Sequence, residues 1–141
     1  MLQSSSNADL IDRVLGTNLH TWTALISAVR SGLPVSAIDT LVVTHRITTS
    51  EVDHVILPRK TLANRKRIGT LTPEQSDRLL RVAKVIALAE EAFVSKNKAS
   101  TWLRRKTTAL AGQMPFEMLD TNEGAHQVEM LLGRIRHGLA A

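Results

Sequence analysis

Apolar positions recur at three- and four-residue spacing along almost the whole chain, and no stretch alternates with period two between hairpin dipeptides such as Asn-Gly or Asp-Gly. This pattern predicts an all-α fold. Residues 8–15 and 19–30 read as two helices parted by Gly16-Thr17-Asn18, the second with an inward stripe of Leu19, Trp22, Leu25, Ile26 and Val29. Gly32 ends it. Pro34, whose missing N–H is one of the unpaired donors of a helix start, opens a helix over 35–44 with Ile38, Leu41 and Val42 inward, against the weak helix preference of Val42-Val43-Thr44. Thr48-Thr49-Ser50-Glu51 has the form of a capping box and predicts a helix over about 49–57. Pro58 stops that helix or starts the next. A short basic helix or turn follows over Arg59–Ile68, with Leu62 inward and Gly69 closing it.

The strongest helix signal comes next: Thr72-Pro73-Glu74-Gln75 joins a capping hydroxyl, proline at the first helical position and glutamine two residues on. One long helix is expected to about Val94. Its apolar residues, from Leu79 to Phe93, cover more than one stripe, so different stretches should bury against different neighbours. Asn97 is placed to cap a helix over 98–107 carrying Trp102 and Leu103, Gly112-Gln113-Met114-Pro115 marks a turn into a short helix over 115–119, and Thr121 or Asn122 caps a last helix over 123–137. Val128, Leu131, Leu132 and Ile135 form its inward stripe, and Gly138 is its stop. No internal repeat or low-complexity tract interrupts the chain.

A chain of 141 residues, 43% hydrophobic and 22% charged, holds a globular core without staples, and no apolar run nears the roughly 20 residues of a membrane span. With no cysteine, disulfides, thiolate zinc sites and cysteine nucleophiles are excluded together. The first residues lack a basic start followed by an apolar stretch, so a cytoplasmic protein is expected, with no membrane partner. Trp22, Phe93, Trp102 and Phe116 are the only aromatic residues, poor material for stacking unpaired bases. The net charge of +5 is unevenly placed: residues 59–106 hold thirteen Lys/Arg against four acids, +9, and the remainder is −4. The middle of the chain is thus the anion-binding candidate, a solvated helical face being the alternative.

Enzymatic chemistry has little support. His20, His45, His54, His126 and His137 form no H-x-x-x-H or H-E-x-x-H pair, so no metal site is expected; Gly-x-Ser-x-Gly, a Walker loop and G-x-G-x-x-G are absent. Glu90 and Glu91 are adjacent and project about 100° apart on a helix, as solvating charges do. No cofactor is implied.

The positive signal is the helix, turn, helix, basic helix succession at 34–68, which suits a major groove about 12 Å wide. In the first helix of the pair Thr49, Ser50, Asp53 and His54 are short polar groups able to meet base edges. In the second, Arg59, Lys60, Thr61, Asn64, Arg65, Lys66 and Arg67 can meet phosphates, or guanine and adenine edges for arginine and asparagine. The pattern leaves open which helix reads bases.

Five stretches carry a family resemblance: LPRKTLANRK at 57–66; LTPEQSDRLLRVAKV from Leu71, continuing to Phe93; Ala99 with Trp102-Leu103; PFEMLDT at 115–121 with Gly124; and VEMLLGRIRHG at 128–138. Together they resemble the Xre/ParS-type antitoxins that accompany RES-domain toxins. The likeness covers roughly residues 20–138, and the ordered C-terminal motifs are its more specific part. Met114 departs from it, standing where the family commonly has a small polar residue that would cap the short helix.

The resemblance implies an N-terminal Xre/Cro-like helix-turn-helix bundle over 1–69, a long connecting helix over 70–95, and a small C-terminal helical toxin-binding lobe over 96–141. It implies a type II antitoxin that covers the active site of an NAD-consuming RES-domain toxin and represses its own operon by binding double-stranded operator DNA. A homodimer inside a larger toxin–antitoxin complex is expected, since paired half-sites mirror a two-fold protein. A stand-alone dimeric repressor without a toxin is the alternative. Within the lobe Trp102 and Leu103 are expected in the core, Pro115, Leu119 and Gly124 at the turn, and Asp120 and Thr121 as caps. Glu123, His126, Gln127, Arg134, Arg136, His137 and Gly138, with the tail to Ala141, are the toxin-contact candidates. Arginine pairing with toxin carboxylates and plain solvation beside the helix dipole both remain open for Arg134 and Arg136.

Overall fold

A computed structural model of the chain describes residues 6–138. The tail residues 139–141, among the expected toxin contacts, lie outside it. The described residues form eight α-helices and two 3₁₀ turns, with no strand beyond two isolated bridges. They divide into two compact units, the first ending at Lys84 and the second beginning at Val85.

The N-terminal unit begins with α1 (Asn7–Leu15), capped by the Ser6 hydroxyl and ended by Gly16. Helix α2 (Trp22–Ser31) starts three residues later than the apolar spacing predicts, because Thr21 is its cap. The intervening loop is clasped by the buried Asp12 carboxylate, which accepts from the Thr17 hydroxyl and from the backbone N–H groups of Leu19 and His20. The expected inward stripe of α2 is not formed: only Leu25 is buried, while Trp22 is 70% and Ile26 41% exposed. Leu19 sits in the clasped loop, and the helix packs along one narrow edge.

Helix α3 (Ser36–Val43) runs through its β-branched end, with Ala37, Ile38 and Leu41 buried, Val42 half-buried and Val43 exposed. The capping box of α4 (Thr49–Val55) is complete: Glu51 N–H donates to the Thr48 hydroxyl at 3.1 Å and Thr48 N–H to the Glu51 carboxylate at 2.9 Å. The helix ends at Val55 because Ile56 and Leu57 turn into the core ahead of Pro58. Helix α5 (Arg59–Ile68) follows, closed by Gly69 in the left-handed region. A bridge then ties 33–35 to 69–71 through Val35 N–H to Gly69 O and Leu71 N–H to Leu33 O. Gly32 is required there, since a Cβ would stand 2.3 Å from the Leu71 carbonyl oxygen.

Helix α6 (Pro73–Phe93) runs as long as predicted, and the division between units falls within it. In the N-terminal unit its fully buried Ser76 hydroxyl accepts from Leu33 N–H at 2.7 Å, and Leu79, Val82 and Ala83 join the core of Leu10, Ile11, Leu15, Ile38, Leu41, Val52 and Ile56.

In the C-terminal unit Val85, Ile86 and Ala89 of α6 are buried, together with α7 (Lys96–Leu103) residues Ala99, Trp102 and Leu103. Helix α7 starts two residues earlier than expected because Ser95, not Asn97, caps it, and ends at Leu103, where the chain leaves for a bridge between Thr107 and Gln113. A 3₁₀ turn at Thr108–Leu110 sits inside that loop. The expected short helix is a second 3₁₀ turn, Phe116–Asp120, whose start has no side-chain cap, in keeping with Met114 in the place of a capping hydroxyl. Helix α8 (Asn122–Arg136) packs on both turns through Ala125, Val128, Leu131 and Leu132.

Candidate functional site

Ten residues of α5 carry five cations and no acid; none is fully buried, and Leu62, the expected inward position, is half-buried. Arg59, Lys60, Asn64, Lys66 and Arg67 are exposed, Thr61 and Arg65 half-buried. Its start is held by Asp53, whose carboxylate accepts the Arg59 N–H at 2.8 Å. Asp53 is exposed but serves as a cap through this bond. Arg65 Nε donates to the Thr70 carbonyl at 2.8 Å, tying the helix end to the chain that follows. Arg67 donates to Asn64 Oδ1 at 2.6 Å, and Lys66 Nζ lies 3.7 Å from the Asp39 carboxylate. At about 100° per residue Arg59, Lys60, Ala63, Asn64 and Arg67 span roughly 140° of the surface of α5. On α4, Thr49, Ser50 and His54 are exposed. Between α4 and α5 lies a cleft of about 290 Å³ with Val52, Leu57 and Leu62 in its wall and Thr49, Asp53 and Lys66 among its polar lining.

In the C-terminal unit the motif residues fall into two sets. Trp102, Leu103, Pro115 and Leu119 are buried. Thr121 caps α8 by accepting from Gly124 N–H at 2.9 Å, and Gly124 has no room for a Cβ, which would stand 2.0 Å from the Met118 carbonyl oxygen. Asp120 is exposed ahead of the cap. Glu123, His126, Gln127, Arg134, His137 and Gly138 are all exposed. At about 100° per residue Glu123, His126, Gln127 and Arg134 fall within roughly 100° of the helix surface, and His137 and Gly138 follow just past its end. Met130, 52% exposed, lies in the middle of this stripe, and no helical-face argument singled it out. Arg136 points elsewhere: its guanidinium lies 3.8 Å from the Glu91 carboxylate of α6.

Elsewhere, Asp9, Asp12 and His20 bring one possible ligand atom each within 4.8 Å of one another. The Asp12 carboxylate is occupied by the loop hydrogen bonds, and His20 Nδ1 is 3.2 Å from Asp9, so hydrogen bonding accounts for the cluster. Among the described residues no helix is long and apolar enough to cross a membrane.

Residues 24–84 match the family described as the antitoxin Xre-like helix-turn-helix domain, and residues 88–138 the antitoxin Xre/MbcA/ParS C-terminal toxin-binding domain. An Antitoxin Xre of Yersinia enterocolitica is 31% identical over 130 residues, which cover 90% of this chain and 88% of that protein. The chain belongs to the Xre antitoxin family. Another Antitoxin Xre, from Pseudomonas putida, is 40% identical over 93 residues, 65% of this chain and 58% of that protein. A Prs ADP-ribosylating antitoxin from Sphingobium sp. is 33% identical over 91 residues, 58% of this chain and 55% of that protein. The antitoxin thus carries a helix-turn-helix domain, which implies DNA, and a toxin-binding domain, which implies a toxin. The Yersinia and Pseudomonas relatives are antitoxins, a non-enzymatic family.

Proposed function

We propose that the antitoxin neutralises a RES-domain, NAD-consuming toxin by setting the exposed stripe of α8, with His137 and Gly138 just beyond it, over the toxin's active-site entrance, and that it represses its own operon. The observation that carries the inhibitor half is the stripe itself. Glu123, His126, Gln127, Arg134 and His137 face solvent on one side of α8, while the opposite side already supplies the core. Arg134 is suited to a charge-assisted, two-pronged bond with a toxin carboxylate.

In the DNA half α5 reads the major groove and α4 crosses the backbone. The second helix of such a pair meets base edges with its N-terminal residues. Here that end presents Arg59, Lys60, Thr61 and Asn64, with Arg67 one turn on. Thr49, Ser50 and His54 are then left to phosphates. The antitoxin acts in the cytoplasm as a homodimer, its half-sites about 34–36 Å apart.

Co-expression with the product of the adjacent open reading frame tests the inhibitor half. A chain lacking the residues after 110 should fail to rescue growth, and full rescue by it would overturn the inhibitor half. If the whole chain binds DNA and no protein co-purifies with it, it is a stand-alone dimeric repressor.

A further inference from the structure

Neither proposed surface uses the basic run at 96–106, which holds Lys96, Lys98, Arg104, Arg105 and Lys106 and no acid. Arg104 belongs to the fold: it donates to the Ser100 hydroxyl at 2.8 Å and lies 4.8 Å over the Phe116 ring. The other four cations are exposed. Two of them, Lys98 and Arg105, line a cavity of about 360 Å³ with Phe93, Asn97, Thr101 and Trp102, and no carboxylate lines it. The two rings, 5.5 Å apart and tilted by 43°, give it an aromatic wall. Its size is within the roughly 300–1,000 Å³ of pockets that take one compact ligand or anchoring side chain.

Val94, the residue that follows Phe93 in the chain, is 89% exposed with φ +50°. A β-branched residue is disfavoured in the left-handed region, where a helix ordinarily ends on glycine or asparagine. An apolar side chain kept in water on such a backbone gains no burial and strains the turn, so it does nothing for the stability of its own unit. Its chemistry suits a partner. Nucleic acid would be satisfied by the cations alone; an aromatic-walled cavity and a bare valine gain by desolvation against protein.

We infer that Val94 and the α7 cavity form a second docking surface for the toxin, taking an aromatic or long apolar side chain flanked by carboxylates. The inference rests on the toxin-binding reading above and adds a contact separate in sequence from α8.

The test titrates full-length variants with the toxin that co-purifies with the wild-type chain, and with operator DNA. Thr101→Trp fills the cavity from an exposed position and should weaken toxin binding about tenfold or more. Lys98→Glu with Arg105→Glu should do the same and flatten the salt dependence. Val94→Gly should raise the melting temperature by roughly 2–4 °C while weakening the toxin complex about fivefold. Toxin affinity within about twofold of wild type for a folded Thr101→Trp chain overturns the inference. So does loss of operator affinity with toxin affinity kept, which would make the surface a nucleic-acid contact. Arg134→Ala weakening the complex while Thr101→Trp leaves it intact would sink this surface alone, and no complex with the wild-type chain would sink both readings.

Discussion

Ser76 is fully buried and its hydroxyl is the partner of the Leu33 N–H, so Ser76→Ala leaves a buried donor unpaired. The expected cost is about 1–3 kcal/mol, read as a lower urea midpoint at unchanged slope. Gly124→Ala should cost a similar 1–3 kcal/mol for a different reason, since its Cβ meets the backbone carbonyl of Met118 rather than a movable side chain. Asp12 gives the N-terminal unit a pH dependence. Burial opposes its charge, but the hydrogen bonds from Thr17, His20 and Leu19 outweigh burial and hold its carboxyl below the usual aspartate value. A carboxyl depressed in the folded state adds stability that is fully present above the unfolded value, about 3.9, and is lost as pH falls through the depressed one. Urea midpoints measured from pH 6 to pH 2.5 should fall across that window in the wild type and fall less steeply in Asp12→Asn. Asp9 is lowered in the same direction, first by the His20 side chain and then by Ser6, and shares the window.

Helices α5 and α8 show how an element can be shaped by what lies outside the fold. Helix α5 packs through half-buried Thr61, Leu62 and Arg65 and is held at its ends by the Asp53 contact and Gly69, while Arg59 and Lys60 are exposed outside that packing. Replacing Arg59 and Lys60 with alanine should therefore leave the melting temperature nearly unchanged. Operator affinity should drop across all sequences, with the log–log salt slope shallower by about one unit for each phosphate no longer neutralised. Arg65 is a poorer choice for that experiment, because its guanidinium also holds the Thr70 carbonyl. On α8, Arg134→Ala should weaken toxin binding about tenfold, whereas Arg136→Ala should cost at most about 1 kcal/mol of stability through a part-exposed pair with Glu91 and leave the toxin complex intact. Calorimetric titration of the two variants separates these outcomes.

Over the whole molecule the excess of +9 at 59–106 divides between two units, because the boundary falls at Lys84. Its N-terminal share includes α5 and its C-terminal share the cations of α7. If the two shares serve DNA and toxin respectively, charge reversal at Lys98 and Arg105 should move the salt dependence of one binding reaction only. Reversal at Arg59 and Lys60 should move only the other.

Local sequence was enough to specify the helical class, the long α6, the Thr48 cap and the basic character of α5, and it narrowed the cap of α8 to Thr121 or Asn122, because each rests on the periodicity of a helix or on hydrogen bonds between residues a few positions apart. Motif order also made the family legible, since it survives without coordinates. Packing between distant segments settled the rest: which apolar stripe is covered, leaving Trp22 and Ile26 outside the core; that Asp53 caps α5; that Arg136 pairs with Glu91 while Arg134 joins Met130 on the open face; and that Phe93 and Trp102 wall a basic cavity. Periodicity says that a helix has a face, but which neighbour covers it, and whether any neighbour does, depends on how segments far apart in the chain come together.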